Sequence, residues 1–296
     1  MSARRSMRVG IVGAGVMAEA MISGLLADRL PQEQLVASHP RRERREALAA
    51  AHGIRMVARN AEAASGAQIV VLAVKPQMLA SVMREVGPAL SDDQVVLSVV
   101  AGATLRTLRH GLGHAAVVRA MPNTPAQIRR GIAVWAASPA CSAGQRDLAR
   151  AVLGALGEEK EVADEEFVAM ATALSGTGPT YLFAVMEALI DAGVHMGFPR
   201  ELAHDLVAVT LVGSAEFAAR SQLHPAQLRN LVTSPGGTSA AAIYELEKGR
   251  LRTVLSDAVW AAYRRTQELG TSLEAETGAD APSGELITGA APEAGS

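Results

Sequence analysis

The chain has 296 residues, of which 49% are hydrophobic, and this length and composition predict two domains with a sizeable core. A net charge of -2 argues against a general nucleic-acid or membrane-surface binder. Cys141 is the only cysteine, which excludes a disulfide within the chain and fits the reducing cytoplasm. We also expect no transmembrane helix and no secretory signal, because no apolar run approaches about 18 residues and none precedes the first strand.

Residues 8–21 predict a dinucleotide-binding turn. Val9, Ile11 and Val12 form a short β-branched run, as a buried parallel strand requires, and residues 16–27 have the composition of a helix. The pattern between them is G-x-G-x-x-A. Gly13 permits the tight turn, Gly15 lets a phosphate approach the backbone, and a small residue at position 18 lets helix and strand pack closely. The alternative is a glycine turn that serves only packing.

The end of the second strand, Leu35–Ser38, favours NADPH over NADH, although NADH stays possible. An acidic residue there would bind the ribose 2′-hydroxyl and repel a 2′-phosphate. This chain instead continues with His39-Pro40 and then arginines, which can pair with a phosphate. The predicted phosphate-facing residues are Ser38, Arg41 and Arg42, with Arg44 and Arg45 following. The alternative is that these arginines, Arg45 above all, are the solvated face of the next helix.

Further strands alternate with helices as far as residue 136 and predict a doubly wound, mostly parallel sheet. The strands are expected at residues 55–57, 68–74, 95–100, 116–121 and 131–136. Lys75-Pro76 and Pro122-Asn123 each follow a strand, at the edge where open α/β folds bind ligands. Lys75 could also be an ordinary surface lysine. Thr104 is the expected N-cap of one helix.

From residue 164 the pattern becomes helical, which predicts a domain boundary near Ala163. Helices are expected at residues 165–174, 181–196, 200–219 and 250–269, and several of them carry few charges. Such apolar helices need a partner surface, and a second subunit supplies one. The predicted organisation is therefore an N-terminal Rossmann domain over residues 1–163, an all-α dimerisation domain over 164–270, and a mostly disordered tail over 271–296.

A Ser-Pro-Gly-Gly loop is the second informative stretch. Pro235 fixes one backbone angle, Gly236 and Gly237 admit unusual ones, and a helix beginning near Thr238 points its free N–H groups into the loop. The hydroxyls of Ser234, Thr238 and Ser239 lie around the same turn. This combination suits a carboxylate without any arginine, although an interhelical turn with a Ser/Thr cap has the same local sequence.

The chain as a whole resembles the pyrroline-5-carboxylate reductase family. The motifs that carry the resemblance follow one another from residue 8 to residue 270. They are Gly13-Ala14-Gly15 with Met17, Glu19 and Ala20; Ala73-Val74-Lys75-Pro76; Arg119-Ala120-Met121-Pro122-Asn123-Thr124-Pro125; Ser175-Gly176 with Gly178-Pro179 and Tyr181; and residues 228–237.

The resemblance implies reduction of a cyclic imine to L-proline by NAD(P)H, in a site shared between two subunits of a homodimer. Such dimers often assemble into decamers. The implied cofactor-binding residues are Gly13, Ala14, Gly15, Val16, Met17, Asn60, Ala73, Val74, Lys75, Pro76, Met121, Pro122 and Asn123. The implied substrate carboxylate site comprises Ser234, Gly236, Gly237, Thr238 and Ser239.

For the mechanism we hypothesise that Ser239 hydrogen-bonds the ring nitrogen of the substrate. Lys75 would support the nicotinamide end or the local charge without acting as proton donor, and the proton could come from solvent. The chain departs from the family pattern at Thr177 and Thr180, which could reshape the pocket, and at Ser239, where the family has threonine.

Other readings are weaker. No metal site is expected, because glycines separate His110 from His114 and no ligand cluster completes the pair. The charge runs at residues 158–161 and 164–166 are interpreted as solvated, and Cys141 has no activating partner. The alternative functions are a reductase of a six-membered cyclic imino acid and a non-catalytic, cofactor-binding regulatory paralogue. A 3-hydroxy-acid enzyme is disfavoured because the helical domain has few lysines.

Overall fold

The computed structural model describes residues 7–279, and these residues confirm the predicted order of a Rossmann-like domain followed by a helical domain. Within them, eight strands form one sheet. The strands are β1 Val9–Val12, β2 Leu35–Ser38, β3 Arg55–Val57, β4 Ile69–Leu72, β5 Val95–Ser98, β6 Val117–Met121, β7 Gly131–Ala137 and β8 Gly157–Glu161. The helices of the sheet domain are α1 Val16–Ala27, α2 Arg42–His52, α3 Asn60–Ala64, α4 Leu79–Val86, α5 Leu105–Leu112 and α6 Ala143–Gly154.

The strand order is β3-β2-β1-β4-β5-β6-β7-β8, and the first six strands are parallel. The order reverses between β1 and β4, which is the crevice where ligands of doubly wound sheets bind. β7 runs antiparallel to β6, and β8 is parallel to β7. The prediction of a mostly parallel sheet is therefore confirmed, with two reversed strands at one edge.

Apolar layers cover both faces of the sheet. One core joins the strands to α1 and α6 and contains Met21, Ile22, Trp135 and Leu153. The other joins them to α3, α4 and α5. The β-branched runs that predicted the strands are buried from end to end in β1, β4 and β5, as parallel strands covered on both faces require.

β8 was not predicted as a strand, because residues 158–161 were interpreted as a solvated charge run; Glu158, Lys160 and Glu161 are exposed, as that interpretation expects. The backbone here is an edge strand, and Gly157, with a φ of +136°, passes against the backbone of Gly131. Glu159 accepts the indole N–H of Trp135 at 2.6 Å, and Glu161 accepts from Arg150 at 2.8 Å. Charged side chains suit an edge strand because they oppose pairing with another chain.

The helical domain begins with α7 Glu166–Ala171, followed by a π-helical turn at Thr172–Gly176. It continues with α8 Gly178–His195, α9 Arg200–Arg220, α10 Pro225–Leu231, α11 Thr238–Lys248 and α12 Leu251–Thr277. α8 packs against α9, and α12 packs against α5, α7 and α11. Tyr263 of α12 donates a hydrogen bond to Glu166 of α7.

α12 also corrects the prediction of a disordered tail from residue 271, because the helix continues to Thr277. Leu273 is buried among the side chains of α4 and α5. Gly270 lets the helix approach the backbone at Gly102, and the Thr104 hydroxyl bonds the Glu274 carboxylate at 3.3 Å. The remainder of the predicted tail, residues 280–296, lies outside the described part of the chain.

Much of the apolar surface of α8 and α9 is open in the single chain. Val209 and Val212 are 73% and 67% exposed, and Leu182, Phe183 and Leu206 are exposed as well. α9 is the one helix in residues 7–279 whose length and mean hydropathy, 1.3, would suffice to cross a membrane, which the sequence analysis did not anticipate. Soluble proteins rarely leave so large an apolar patch unpaired.

Candidate active site

The turn between β1 and α1 has the shape of a phosphate-binding loop. Gly13 has a φ of +91°, and a Cβ there would lie 2.7 Å from the carbonyl oxygen of Ala73. Gly15 instead faces open space, because no heavy atom lies within 4 Å of a Cβ built on it. No side chain caps α1, so its first N–H groups are free for an anion. The loop therefore fits the pyrophosphate of a dinucleotide.

The other predicted residues of this loop differ in exposure. Ala14 is buried, Met17 is half-buried against the core, and Val16 is exposed beside Gly15. The loop therefore presents its backbone and one apolar side chain to a ligand.

Ser38 and Asn60 lie directly behind the phosphate loop. The buried Ser38 hydroxyl donates to Asn60 Oδ1 at 2.8 Å and accepts from the Gly13 N–H at 3.4 Å. The Asn60 amide in turn donates to Glu85 at 2.7 Å. Contact of both side chains with the cofactor stays a prediction; within the chain, their polar atoms form the bonds given above. Their geometry therefore braces the loop from behind.

The arginines after β2 divide into two pairs. Arg44 donates to Glu19 and to the carbonyl oxygen of Ala14, while the half-buried Arg45 donates to the carbonyl oxygens of His39 and Pro40. Arg45 is therefore less solvated than the sequence suggested, because these carbonyls hold its guanidinium.

The second pair, Arg41 and Arg42, is exposed. Arg42 forms a surface ion pair with Glu46 at 2.6 Å, and Arg41 forms no ion pair among residues 7–279. The Arg41 N–H donates to Nδ1 of His39 at 3.2 Å, so a neutral His39 carries its proton on Nε2. Burial lowers the pKa of His39, and the charges of the neighbouring arginines act in the same direction. Arg41 is thus the arginine best placed to meet a phosphate.

The segment after β4 closes over the phosphate loop. β4 ends at Leu72, two residues earlier than predicted, and Ala73-Val74 then pack against Gly13. Pro76 starts a short 3-10 turn, and Lys75 before it is exposed and forms no ion pair within the described residues. A free ammonium at this edge can face a ligand.

The loop after β6 joins the two domains. Asn123 donates to the carbonyl oxygen of Ser175 at 3.2 Å and accepts the Ile132 N–H at 3.0 Å. Met121 packs against Gly176 so closely that a Cβ on that glycine would lie 2.9 Å from the methionine Cε. Pro122 between them is buried. The predicted residues Met121 to Asn123 therefore contact the π-helical turn, and such turns are frequent at functional sites.

Two departures from the family pattern follow this turn. The Thr177 hydroxyl donates to the Thr172 carbonyl oxygen at 2.9 Å, so it is held within the turn. Thr180 is exposed at the start of α8. Of the two threonines, Thr180 is therefore the one whose side chain could meet a ligand.

The Ser-Pro-Gly-Gly loop lies between α10 and α11, as predicted. Gly236 has a φ of +71°, and Gly237 precedes α11 without any side-chain cap, so the first N–H groups of that helix are open. Ser234 and Thr238 are exposed, and Ser239 is half-buried. Within residues 7–279 no hydrogen bond or ion pair connects this loop to the sheet domain. The bonds within one chain therefore do not join the two halves of the predicted site.

His114 and Cys141, the remaining candidates, bond to groups inside the protein. Buried His114 bonds the Gln94 carbonyl oxygen through Nε2 at 2.9 Å, and buried Cys141 contacts Ser138 and the carbonyl oxygen of Val117. The described residues contain no group of three metal-ligating side chains.

Comparison with known proteins gives full-length relatives. A pyrroline-5-carboxylate reductase of Synechocystis sp. is 39% identical over 266 residues, covering 90% of this chain and 99% of the relative. One from Pseudomonas aeruginosa is 40% identical over 267 residues, covering 90% and 98%. The chain belongs to the pyrroline-5-carboxylate reductase family. Residues 165–269 match the family model described as "Pyrroline-5-carboxylate reductase dimerisation". Residues 8–102 match the family model described as "NADP oxidoreductase coenzyme F420-dependent".

Solved structures of this reductase family agree in fold. The pyrroline-5-carboxylate reductase of Coxiella burnetii superposes with a TM-score of 0.82 at 34% identity, covering 89% of this chain and 98% of that one. The Plasmodium falciparum enzyme, solved with NADP bound, gives 0.83 at 29% identity, covering 90% and 99%. The dimerisation match includes all of α9, the helix whose apolar side chains are open in the single chain.

Two ion pairs near the predicted site residues were not predicted from the sequence. The ion pair of Glu19 with Arg44 braces the phosphate loop, and only a weak signal, the acidic residue in the first turn of α1, pointed to it. Glu165 was interpreted as solvated, yet it pairs with nearly buried Arg119. No local pattern could have joined residues so far apart in the chain.

Proposed function

We propose that this protein is a pyrroline-5-carboxylate reductase, which uses NAD(P)H to reduce the C=N bond of 1-pyrroline-5-carboxylate and so makes L-proline. The observation that carries the proposal is the likeness to curated reductases over 90% of the chain, with both halves of the site present. Biosynthesis of proline in the cytoplasm is part of the proposal.

For the cofactor, residues Gly13 to Met17 would hold the pyrophosphate, while Ala73 to Pro76 and Met121 to Asn123 would face the nicotinamide end. The dinucleotide, when bound, supplies the hydride. The free N–H groups of α1 and the open space above Gly15 support this assignment. The preference for NADPH rests on Arg41 and Arg42 and on the absence of an acidic residue directly after β2.

For the substrate, the N-terminus of α11 with Ser234 would hold the carboxylate, and the Ser239 hydroxyl would hydrogen-bond the ring nitrogen. Residues 232–239 contain no histidine and no carboxylate, so we assign no protein proton donor there. The exposed Lys75 ammonium would support the nicotinamide end of the site. The protein contributes mainly placement and electrostatics.

We further propose that each site combines the sheet domain of one subunit with the Ser-Pro-Gly-Gly loop of its partner. The separation of these parts in one chain and the open faces of α8 and α9 support this arrangement. Assembly of such dimers into a decamer is proposed from the resemblance, and the mass measured by light scattering tests it.

The first test follows the loss of NADPH absorbance with racemic pyrroline-5-carboxylate, repeated with NADH and with the six-membered homologue. Saturable oxidation with the five-membered ring is expected. Activity with the larger ring alone would replace the proposal with the alternative substrate and point to Thr180. Binding of NADPH without turnover of either imine would favour a regulatory protein.

The shared site is tested by complementation. A Gly15→Glu chain and a Ser239→Ala chain, each inactive as a homodimer, are co-produced with different tags and purified through both. A shared site leaves one intact centre per mixed dimer, so about half of the wild-type activity is expected for isolated mixed dimers, and about a quarter where mixed and matched dimers share a decamer. Mixed dimers as inactive as the two parents would place each site within one chain.

A further inference from the structure

One oxygen of Glu165 ties three elements together. Its Oε1 accepts from Arg119 Nη1 at 2.8 Å and from the Leu105 N–H at 2.7 Å. The Arg119 side chain is 7% exposed and that of Glu165 is 28% exposed. Glu165 is the N-cap residue of α7, Leu105 is the first residue of α5, and Arg119 lies within β6.

Each of these elements borders the predicted nicotinamide side of the site. α5 begins directly after the turn that follows β5, and Arg119 stands two residues before Met121. β5 and β6 lie beyond the β1–β4 switch point, on the side away from β2. A dinucleotide crossing that switch point with its adenosine at β2 has its nicotinamide toward β5 and β6.

A second link acts in parallel. Asn123, at the far end of the same loop, donates to the Ser175 carbonyl oxygen in the turn that follows α7. The segment from Arg119 to Asn123 is therefore held to the start of the helical domain at both ends. A shift of α7 would move this segment with it.

We infer that Glu165 is a positioning residue for hydride transfer, which sets the loop after β6 and the start of α5 against the helical domain. The inference rests on the function proposed above. A nearly buried ion pair adds little net stability as a rule, because desolvation of the charges offsets their attraction. The directed bonds to Arg119 and Leu105 are what the pair supplies, and small displacements of reacting groups are costly to rate.

Glu165→Gln tests the inference, with Glu161→Gln as a matched control. Glu161 is also 28% exposed and also bonds arginines, Arg146 and Arg150, but these lie in α6 on the other face of the sheet. Four quantities are measured: kcat, the Kd for NADPH, the kinetic isotope effect with NADPH deuterated at the transferred C4 position, and the fluorescence of bound NADPH. The melting temperature of each variant is recorded beside them.

For Glu165→Gln we expect a fall in kcat of about tenfold, a Kd within about twofold of wild type, and a larger isotope effect. The fluorescence of bound NADPH should change, since it reports the surroundings of the nicotinamide ring without turnover. Glu161→Gln should keep all four wild-type values. A wild-type kcat for Glu165→Gln, or equal losses in both variants, would overturn the inference.

Arg119→Lys guards against a variant that does not fold. It keeps the positive charge but loses the planar fork, so a smaller fall in kcat, about threefold, is expected. A folded Arg119→Lys protein with wild-type kcat and wild-type NADPH fluorescence would count against the inference. Failure of the proposed function shows separately, as a wild-type protein that binds NADPH and does not reduce the imine.

Discussion

Arg44 reaches Glu19 from the next helix, with Nη2 donating to Oε2 at 2.6 Å while Nε donates to the Ala14 carbonyl oxygen at 3.0 Å. The bond from Arg44 lowers the pKa of Glu19, burial opposes it, and a contact with His52 lowers it further. The ion pair between Arg44 and Glu19 thus fixes one end of the phosphate loop.

Glu19→Gln should therefore cost stability in a pH-dependent way. Because the pKa of Glu19 is lowered on folding from its ordinary value of 4.5, its contribution is present above that value and lost as the pH falls through the folded pKa. The variant should be less stable than wild type near neutral pH, and the gap should close in acid. The gap is modest because more than a third of the Glu19 side chain is exposed. Chemical denaturation at neutral and at acidic pH measures the difference in unfolding free energy between wild type and variant. A difference that is the same at both contradicts the prediction.

Arg41→Ala should weaken NADPH selectively. Loss of a charge-assisted bond to a 2′-phosphate should raise the KM for NADPH by about tenfold and leave the KM for NADH nearly unchanged. Steady-state kinetics with both cofactors measures the split. Arg55→Ala is the control, because Arg55 lies at the amino end of β3, whereas Arg41 follows the carboxyl end of β2. Equal effects on the two cofactors would remove Arg41 from the phosphate site.

Ser239→Ala should lower kcat by roughly a hundredfold, because it removes the hydroxyl assigned to the ring nitrogen. Ser239→Thr keeps that hydroxyl and adds a methyl group that restrains its rotamer, so it should retain most activity. Melting temperatures separate this effect from loss of folding. An unchanged rate in the alanine variant would exclude Ser239 from the mechanism.

Leu273→Ala should destabilise the protein by about 2–4 kcal/mol, since it opens a cavity between α12 and the helices of the sheet domain. Ser272→Ala, exposed on the same turn, should change the unfolding free energy little. Denaturant unfolding of the assembled protein compares them. Equal stability of the two variants would mean that the end of α12 contributes no packing.

Local patterns predicted most of the fold. β-branched runs marked the strands, and the spacing of Gly13 and Gly15 marked the cofactor loop, because both signals lie within a few residues. β8 was missed because its glutamates resemble a solvated segment, and their partners Trp135 and Arg150 come from other elements. The end of α12 was missed for a similar reason, since Leu273 is its main apolar anchor in a polar stretch.

Long-range geometry decided the rest. The bonds of Glu165 to Arg119 and Leu105 span 46 and 60 residues, which no periodicity encodes. The hydrogen bond of Ser38 to Asn60 likewise depends on how the end of β2 meets the start of α3. The sequence predicted Ser38 and Asn60 near the cofactor, but not the bond between them.

The return of α12 to the first domain has a consequence for synthesis of the protein. Leu273 completes an apolar layer whose other members, such as Leu79 and Leu108, leave the ribosome more than 160 residues earlier. The face of the sheet that carries α4 and α5 must therefore stay partly uncovered until almost the whole chain has emerged. The apolar layer under α4 and α5 is synthesised early but receives Leu273 only after α12 has been made. A nascent chain stopped before α12 would expose that layer to chaperones or to aggregation.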